Sequence, residues 1–237
     1  MRTLILCLVL LGLSFPAFAT DRVVDAVHQL DPNAVVERSP EQPFHDFTLV
    51  NVRGQTLLVS SDGRYVVQGE LFDLAKHRDI SEDVRATLRS AAIAKIPVSE
   101  RIVFRAPHER HRVIVFFDPE CPFCRQLMGH TKAYQDLGIT FEVLAFPRNG
   151  LDSSAYQRAE SIWCSADRAK ALIASLSAPL PSSPACGDAV KRQFQLAEYL
   201  AVPGTPTLLD VRGHYLGGYL TPQQLEAILD SKHGWRR

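Results

Sequence analysis

The run Val113-Ile114-Val115-Phe116-Phe117 leads at once into Asp118-Pro119-Glu120 and then Cys121-Pro122-Phe123-Cys124, and this segment constrains the fold most. Five consecutive apolar residues bounded by a turn signal read as a strand buried on both faces, which requires a sheet covered by helices on either side. The segment from Cys121 through Tyr134 reads as a helix. Pro122 suits its first position, because the N–H that proline lacks would have had no partner inside the helix. Cys121 therefore stands at a helix start, where unpaired N–H groups and the positive end of the helix dipole favour a charged sulfur. CxxC motifs in this setting have pKa values lowered to roughly 3.5–7.5. A thiolate, not a thiol, attacks a disulfide, so Cys121 is the candidate attacking sulfur. Cys124, three residues on, lies almost above it and is the candidate resolving sulfur.

The elements that follow extend this reading. Residues 139–146 form a second buried strand, 153–200 are largely helical with a Pro/Ser-rich break at 179–184, and Thr207–Val211 with Tyr215–Tyr219 read as a hairpin turning at Arg212-Gly213. The last helix starts at a capping box, with Thr221 as cap, Pro222 at the first position and Gln224 as the reciprocal partner. This order of elements is that of an α/β thioredoxin-like domain carrying a helical insertion. Such a fold needs a cis-proline loop before its hairpin, and Val202-Pro203-Gly204-Thr205-Pro206-Thr207 stands there. A cis Thr205–Pro206 bond would hold backbone groups beside the sulfurs, ready to pair with an extended substrate segment. Thr205 and Pro206 are thus the candidate substrate-binding residues.

Upstream, the pattern is different. Val23, Val27 and Leu30 fall at helical spacing, and Phe47–Val52, Thr56–Ser60 and Tyr65–Leu71 read as strands with turns at Gly54 and Asp62-Gly63. A small α+β unit of this size is near the lower limit at which one core suffices, so pairing with a second copy is expected. Residues 81–96 then read as a helix, with Ser81 as its cap and Val84, Leu88 and Ala92 as one narrow apolar stripe before Pro97 stops it. A narrow stripe suits a connector between two bodies, although an ordinary surface helix would show the same pattern.

Cysteine usage and the amino terminus set the compartment. Arg2, the apolar stretch Leu4 to Leu13 and Ala17-Phe18-Ala19 read as a secretory signal peptide cleaved after Ala19. The apolar run is too short to span a bilayer comfortably, so no membrane anchor is expected. Cleavage removes Cys7 from the five cysteines and leaves four, a pairable number in a compartment that permits disulfides. Lys and Arg number 26 and so do Asp and Glu, which leaves no basic field to gather phosphates and argues against nucleic acid as a partner. A zinc site made of all four thiolates is disfavoured, because Cys164 and Cys186 are 22 residues apart rather than a close-spaced pair. Neither a metal nor another cofactor is implied. A purely structural Cys121–Cys124 bridge is also disfavoured, since so short a loop constrains the unfolded chain little.

Cys121-Pro122-Phe123-Cys124, residues 145–153, Ile162-Trp163-Cys164 and Gly204-Thr205-Pro206 together resemble the DsbC/DsbG family of periplasmic disulfide isomerases, and Asp62 to Gly69 is similar to that family's dimerisation domain. The resemblance implies a homodimer. It divides the chain into a signal peptide (1–19), a cystatin-like N-terminal dimerisation domain (20–80), a linker helix (81–97) and a thioredoxin-like catalytic domain (98–237). It further implies a periplasmic location, misfolded or unfolded exported proteins as substrates, and a DsbD-type membrane reductase as electron donor. Cys164 and Cys186 match the structural disulfide of the DsbC branch, two free buried thiols being the alternative. Pro122-Phe123 is closer to the Pro-Tyr of the DsbG branch, and that dipeptide tunes thiolate pKa and potential. The leading expectation is a thiol:disulfide isomerase. The alternatives are a DsbG-like reductase that protects single cysteines and a chaperone-like binder of unfolded chains.

Four further features are singled out. Asp118 is read as a possible proton acceptor and Glu120 as a carboxylate that either raises the Cys121 pKa or points into water. Trp163 is expected to pack on the Cys164–Cys186 bridge. His108 and His111 are expected to be solvated surface.

Overall fold

The computed structural model describes residues 21–42, 44–178 and 186–231. The signal-peptide segment 1–19, with Cys7 and the Ala19 cleavage site, and the Pro/Ser-rich break at 179–184 lie outside the described residues.

The chain begins with α1 (Arg22–Leu30), capped by Asp21, whose carboxylate accepts the N–H of Val23 at 3.1 Å. Four short strands follow, β1 (Val36–Arg38), β2 (Phe47–Val52), β3 (Gln55–Ser60) and β4 (Val66–Gln68), in an antiparallel sheet of order β1-β2-β3-β4. Val23, Ala26 and Val27 of α1 pack on Val50, Val52, Leu57 and Val59, which forms a small separate core. A two-stranded ribbon, β5 (Phe72–Asp73) and β6 (Arg78–Asp79), then leads into α2 (Ile80–Ile93).

The larger body contains β7 (Ile102–Phe104), β8 (His111–Phe117), α3 (Pro122–Gly129), α4 (Thr131–Asp136), β9 (Ile139–Ala145), α5 (Ser154–Trp163), α6 (Arg168–Ser175), α7 (Ala189–Tyr199), β10 (Thr207–Asp210), β11 (Tyr215–Gly217) and α8 (Pro222–Asp230). Its sheet has the order β11-β10-β8-β9-β7, with β8 and β9 parallel and the other pairs antiparallel. Val113, Val115, Phe117 and Cys124 join one core layer with Leu127, Phe141 and Trp163, whereas Ile114 and Phe116 face a second layer with Leu144, Phe146 and Leu209. Alternate residues of β8 thus serve opposite faces, which is why its sequence is apolar throughout. The α8 cap is reciprocal, with the Gln224 N–H donating to Thr221 Oγ1 at 3.3 Å and the Thr221 N–H to Gln224 Oε1 at 2.9 Å. The helix expected from Cys121 through Tyr134 is instead two, broken at His130.

One reading of α2 is corrected. Asp79 rather than Ser81 caps it, accepting the Glu82 N–H at 2.9 Å, while buried Ser81 takes the N–H of Leu71 at 2.9 Å. α2 also packs on both bodies. Ile80 and Val84 join Leu49 in the N-terminal unit, and Ala92 and Ile93 join Ile114 and Phe116 in the larger body. The β10–β11 turn also closes on its middle: a Cβ on Gly213 would stand 2.1 Å from the Ala86 carbonyl oxygen, at φ +90°, so only glycine permits this approach.

Polar groups lock the same contact. The Tyr215 N–H donates to Glu82 Oε1 at 2.8 Å, Arg89 Nη1 donates to the Gly213 carbonyl at 3.2 Å, and His214 lies 3.2 Å from both Asp210 Oδ2 and Asp83 Oδ1. Hydrogen bonding to Asp210 is the main cause that holds the His214 pKa above its ordinary value; Asp83 adds to it, while burial and Arg212 oppose it. Arg78 shares Asp83 at 2.6 Å. A histidine raised in the folded state contributes stability that is complete below its unfolded value of about 6.5 and is lost as pH rises through the folded value. Amide exchange at residues 211–215, corrected for its intrinsic rate, should therefore accelerate as pH rises above about 6.5, and His214→Gln should flatten that rise. A pH-independent protection in the native protein would contradict this account.

Candidate active site

Cys121 is the N-cap of α3, with Pro122 in the first turn, so its sulfur sits at the end of a helix whose first N–H groups have no internal partner. The Cys121 thiol donates to the carbonyl of Thr205 at 3.1 Å, and Thr205–Pro206 is a cis peptide. Elements 84 residues apart thereby meet at one sulfur. Burial pushes the Cys121 thiol up, but the Thr205 side chain, the N–H groups of Cys124 and Phe123 and the Cys124 side chain together outweigh it, whereas the bond the thiol donates to the Thr205 carbonyl favours the protonated form. The net shift is downward, toward the thiolate. Cys124 is fully buried, and its pKa moves the other way, chiefly through desolvation. One sulfur is thus poised to ionise and its neighbour is held as a thiol, which is an arrangement for ordered attack and resolution.

Thr205 Oγ1 is buried and makes no conventional hydrogen bond among the described residues, so its hydroxyl is left to face the cysteine sulfurs, where it favours the thiolate. Phe123, 59% exposed, lies against Tyr219 with ring centroids 6.2 Å apart and presents an apolar surface next to the cysteines. Cys164 and Cys186 are joined by a disulfide with Cα atoms 5.4 Å apart, between the end of α5 and the residues leading into α7.

Of the other singled-out residues, His108 is placed as expected, while Asp118, Glu120 and His111 have partners that were not anticipated. Asp118 is buried, and its carboxylate is already occupied: Oδ1 accepts the Glu120 N–H at 2.8 Å, and Oδ2 accepts the Arg148 N–H at 3.1 Å. Glu120 does not simply point into water: its Oε1 pairs with Arg158 Nε at 3.1 Å. Trp163 sits in the main core and donates through Nε1 to the Glu100 carbonyl at 2.9 Å. His108 is exposed, whereas His111 lies 2.7 Å from Asp230. Sequence reasoning did not find Arg148, because its link to Asp118 spans 30 residues and leaves no local pattern.

Comparison with known proteins bears on this geometry. Residues 99–233 match the thioredoxin-like domain family and residues 15–82 match the disulfide bond isomerase protein N-terminal domain. The chain is 34% identical over 189 residues to the thiol:disulfide interchange protein DsbC of Salmonella typhimurium, covering 79% of this chain and 78% of the relative. It belongs to the DsbC family. DsbC of Dickeya dadantii is 30% identical over 231 residues, 97% of this chain and 95% of that one. A crystal structure of a disulfide interchange protein from Neisseria gonorrhoeae superposes with a TM-score of 0.50 at 31% identity, over 56% of this chain and 96% of that chain. As a DsbC-family protein, this chain is a thiol:disulfide oxidoreductase of the disulfide-isomerase type. Among the described residues, no helix is long and apolar enough to cross a membrane.

Proposed function

We propose that this DsbC-family protein isomerises or reduces non-native disulfides of exported proteins in the periplasm, with Cys121 attacking and Cys124 resolving. The observation that carries the assignment of roles is the opposite displacement of the two thiols: Cys121 is lowered at a helix N-cap and Cys124 is raised by burial. The Cys121 thiolate attacks one sulfur of a substrate disulfide, forming a mixed disulfide and releasing the other substrate sulfur as a thiolate. A second substrate thiolate can then attack the mixed disulfide, which reshuffles the substrate and returns Cys121. Alternatively, Cys124 attacks Cys121, which reduces the substrate and leaves the Cys121–Cys124 disulfide to be reduced by a membrane-bound DsbD-type donor. Thr205 and Pro206 form the substrate-binding edge, because the Thr205 carbonyl already lies against the attacking sulfur. The exposed Phe123 ring, backed by the half-buried Tyr219, suits the apolar segments that unfolded chains present.

Residues 1–19 act as the signal peptide, 20–80 as a dimerisation domain, 81–97 as the linker and 98–237 as the catalytic domain. The small core around α1 and the open edge of the sheet at β4, with Val67 and Tyr65 half-exposed or more, support pairing with a second copy. Cys164–Cys186 braces the helical insertion. On chain entropy a bridge closing such a loop contributes about 3 kcal/mol. The test is a side-by-side assay of disulfide reshuffling and dithiol oxidation by residues 20–237, combined with sedimentation. Reshuffling should dominate and the protein should sediment as a dimer. Dominant oxidation by a monomer would overturn the reading, while reduction of sulfenylated single-cysteine proteins with poor reshuffling would favour the DsbG-like alternative.

A further inference from the structure

Asp118 is more deeply tied into the active site than a proton acceptor would be. Its backbone N–H points at Cys124 Sγ, 3.5 Å away, and its backbone carbonyl accepts the N–H of Cys121 at 3.1 Å. Its carboxylate meanwhile accepts the N–H groups of Glu120 and Arg148, and Arg148 Nε stands 3.4 Å from Oδ2. One buried residue thus holds both cysteines through its backbone and anchors itself through its side chain to its own turn and to the loop at Arg148. With its oxygens occupied by N–H donors, the carboxylate has little freedom to take a proton from a sulfur.

We infer that Asp118 is a positioning residue for the resolving step: its anchored carboxylate keeps its own N–H aimed at the sulfur of Cys124, where that bond favours the attacking thiolate. This rests on the assignment of Cys121 as attacking and Cys124 as resolving cysteine. In the step concerned, the Cys124 thiol loses its proton to solvent and the sulfur attacks Cys121 Sγ of the mixed disulfide. The Cys121–substrate S–S bond breaks, the Cys121–Cys124 bond forms, and the substrate sulfur leaves as a thiolate carrying the electron pair. The dithiol is oxidised by two electrons and the substrate is reduced by two. The groups that face Cys124 are the Cys121 sulfur, which opposes its ionisation, and the Asp118 N–H and Thr205, which favour it. Desolvation works against that ionisation, so the few favourable contacts control how fast resolution runs.

Asn at position 118 keeps the shape but turns an NH2 group toward N–H donors that need an acceptor, which loosens the anchor. Each tenfold loss of Cys124 thiolate is partly returned by the greater nucleophilicity of a more basic sulfur, so the net slowing is about threefold per tenfold loss. The experiment uses reduced residues 20–237 and one equivalent of dithiobisnitrobenzoate, followed by stopped-flow absorbance. Release of the first nitrothiolate reports attack by Cys121, and release of the second reports resolution by Cys124.

In Asp118→Asn the first phase should stay within about twofold of the native rate while the second slows about three- to tenfold. The pH at which the second phase reaches half its maximum should also move upward. Two unchanged phases, or two phases slowed by the same factor, would overturn the inference. Should Asp118→Asn not fold, Arg148→Ala carries the test: its half-exposed side chain leaves Oδ2 without its guanidinium, and the second phase alone should slow about twofold. An unchanged second phase in that variant would equally overturn it. Cys121→Ser in the same assay separates the two levels, since a first phase that survives there refutes the assignment of the attacking cysteine and not the role of Asp118.

Discussion

Cys121→Ser is expected to reduce reactivation of a scrambled multi-disulfide substrate to the rate of the buffer thiols, and Cys124→Ala should turn the protein into a trap for mixed disulfides. The first effect follows from ionisation. Helix-terminal N–H groups and hydrogen bonding with Thr205 hold the Cys121 sulfur toward the thiolate, whereas a serine hydroxyl at the same N-cap stays un-ionised near neutral pH and cannot open an S–S bond. The second follows from geometry. Cys124 is fully buried behind Cys121, so its removal leaves attack intact and removes the internal sulfur that would release the substrate. Gel electrophoresis under non-reducing conditions should show the adducts of Cys124→Ala and none in the double variant. Isomerase turnover retained by Cys121→Ser would sink the assignment of the active site.

The largest effect on stability is expected from Glu142→Ala. Glu142 lies in the middle of β9 with its side chain 3% exposed, and its Oε2 receives Arg101 Nη1 at 2.6 Å while Oε1 receives Arg112 Nη1 at 2.9 Å. Arg101 is 8% exposed, so removing its partner leaves a cation in a site that cannot hydrate it. Loss of one member of a buried pair costs about 3–5 kcal/mol. For a chain of this size that corresponds to a fall in melting temperature on the order of 10 °C. A loss below about 1 kcal/mol in denaturant titration would show that water reaches Arg101 in solution.

Replacing both partners by apolar residues is often neutral for a buried pair, but here it should not restore stability fully. Arg101 also donates to the carbonyls of Ile93 and Ile96 at 2.7 Å each, which closes the end of α2 onto the larger body. Those carbonyls would lose their donor in Arg101→Met/Glu142→Leu. The pair therefore fastens α2 as well as compensating charge.

These cases mark where local sequence suffices. The β8 strand, the helix that starts at Cys121-Pro122 and the α8 capping box were readable because each depends on residues within about one helical turn or strand of one another. By contrast, Glu142 interrupts an apolar run and reads in sequence only as an oddly placed charge. Its partners come from 41 and 30 residues away. The cap of α2 was misread for a related reason, since Ser81 and Asp79 are both acceptable caps locally and only the demand of the Leu71 N–H for a buried acceptor assigns Ser81 elsewhere.

By itself, the sequence determined that Cys121 stands at a helix start, that Cys124 lies one turn above it and that a strand buried on both faces leads into them. Periodicity, proline position and helix geometry act over a few residues and leave little choice. Only the tertiary structure decided that the Cys121 sulfur rests on the Thr205 carbonyl, 84 residues away, and how the β10–β11 turn seats on α2 at Gly213. The physical reason is range: a hydrogen bond acts over about 3 Å, and chain positions separated by tens of residues come that close only after two cores have packed.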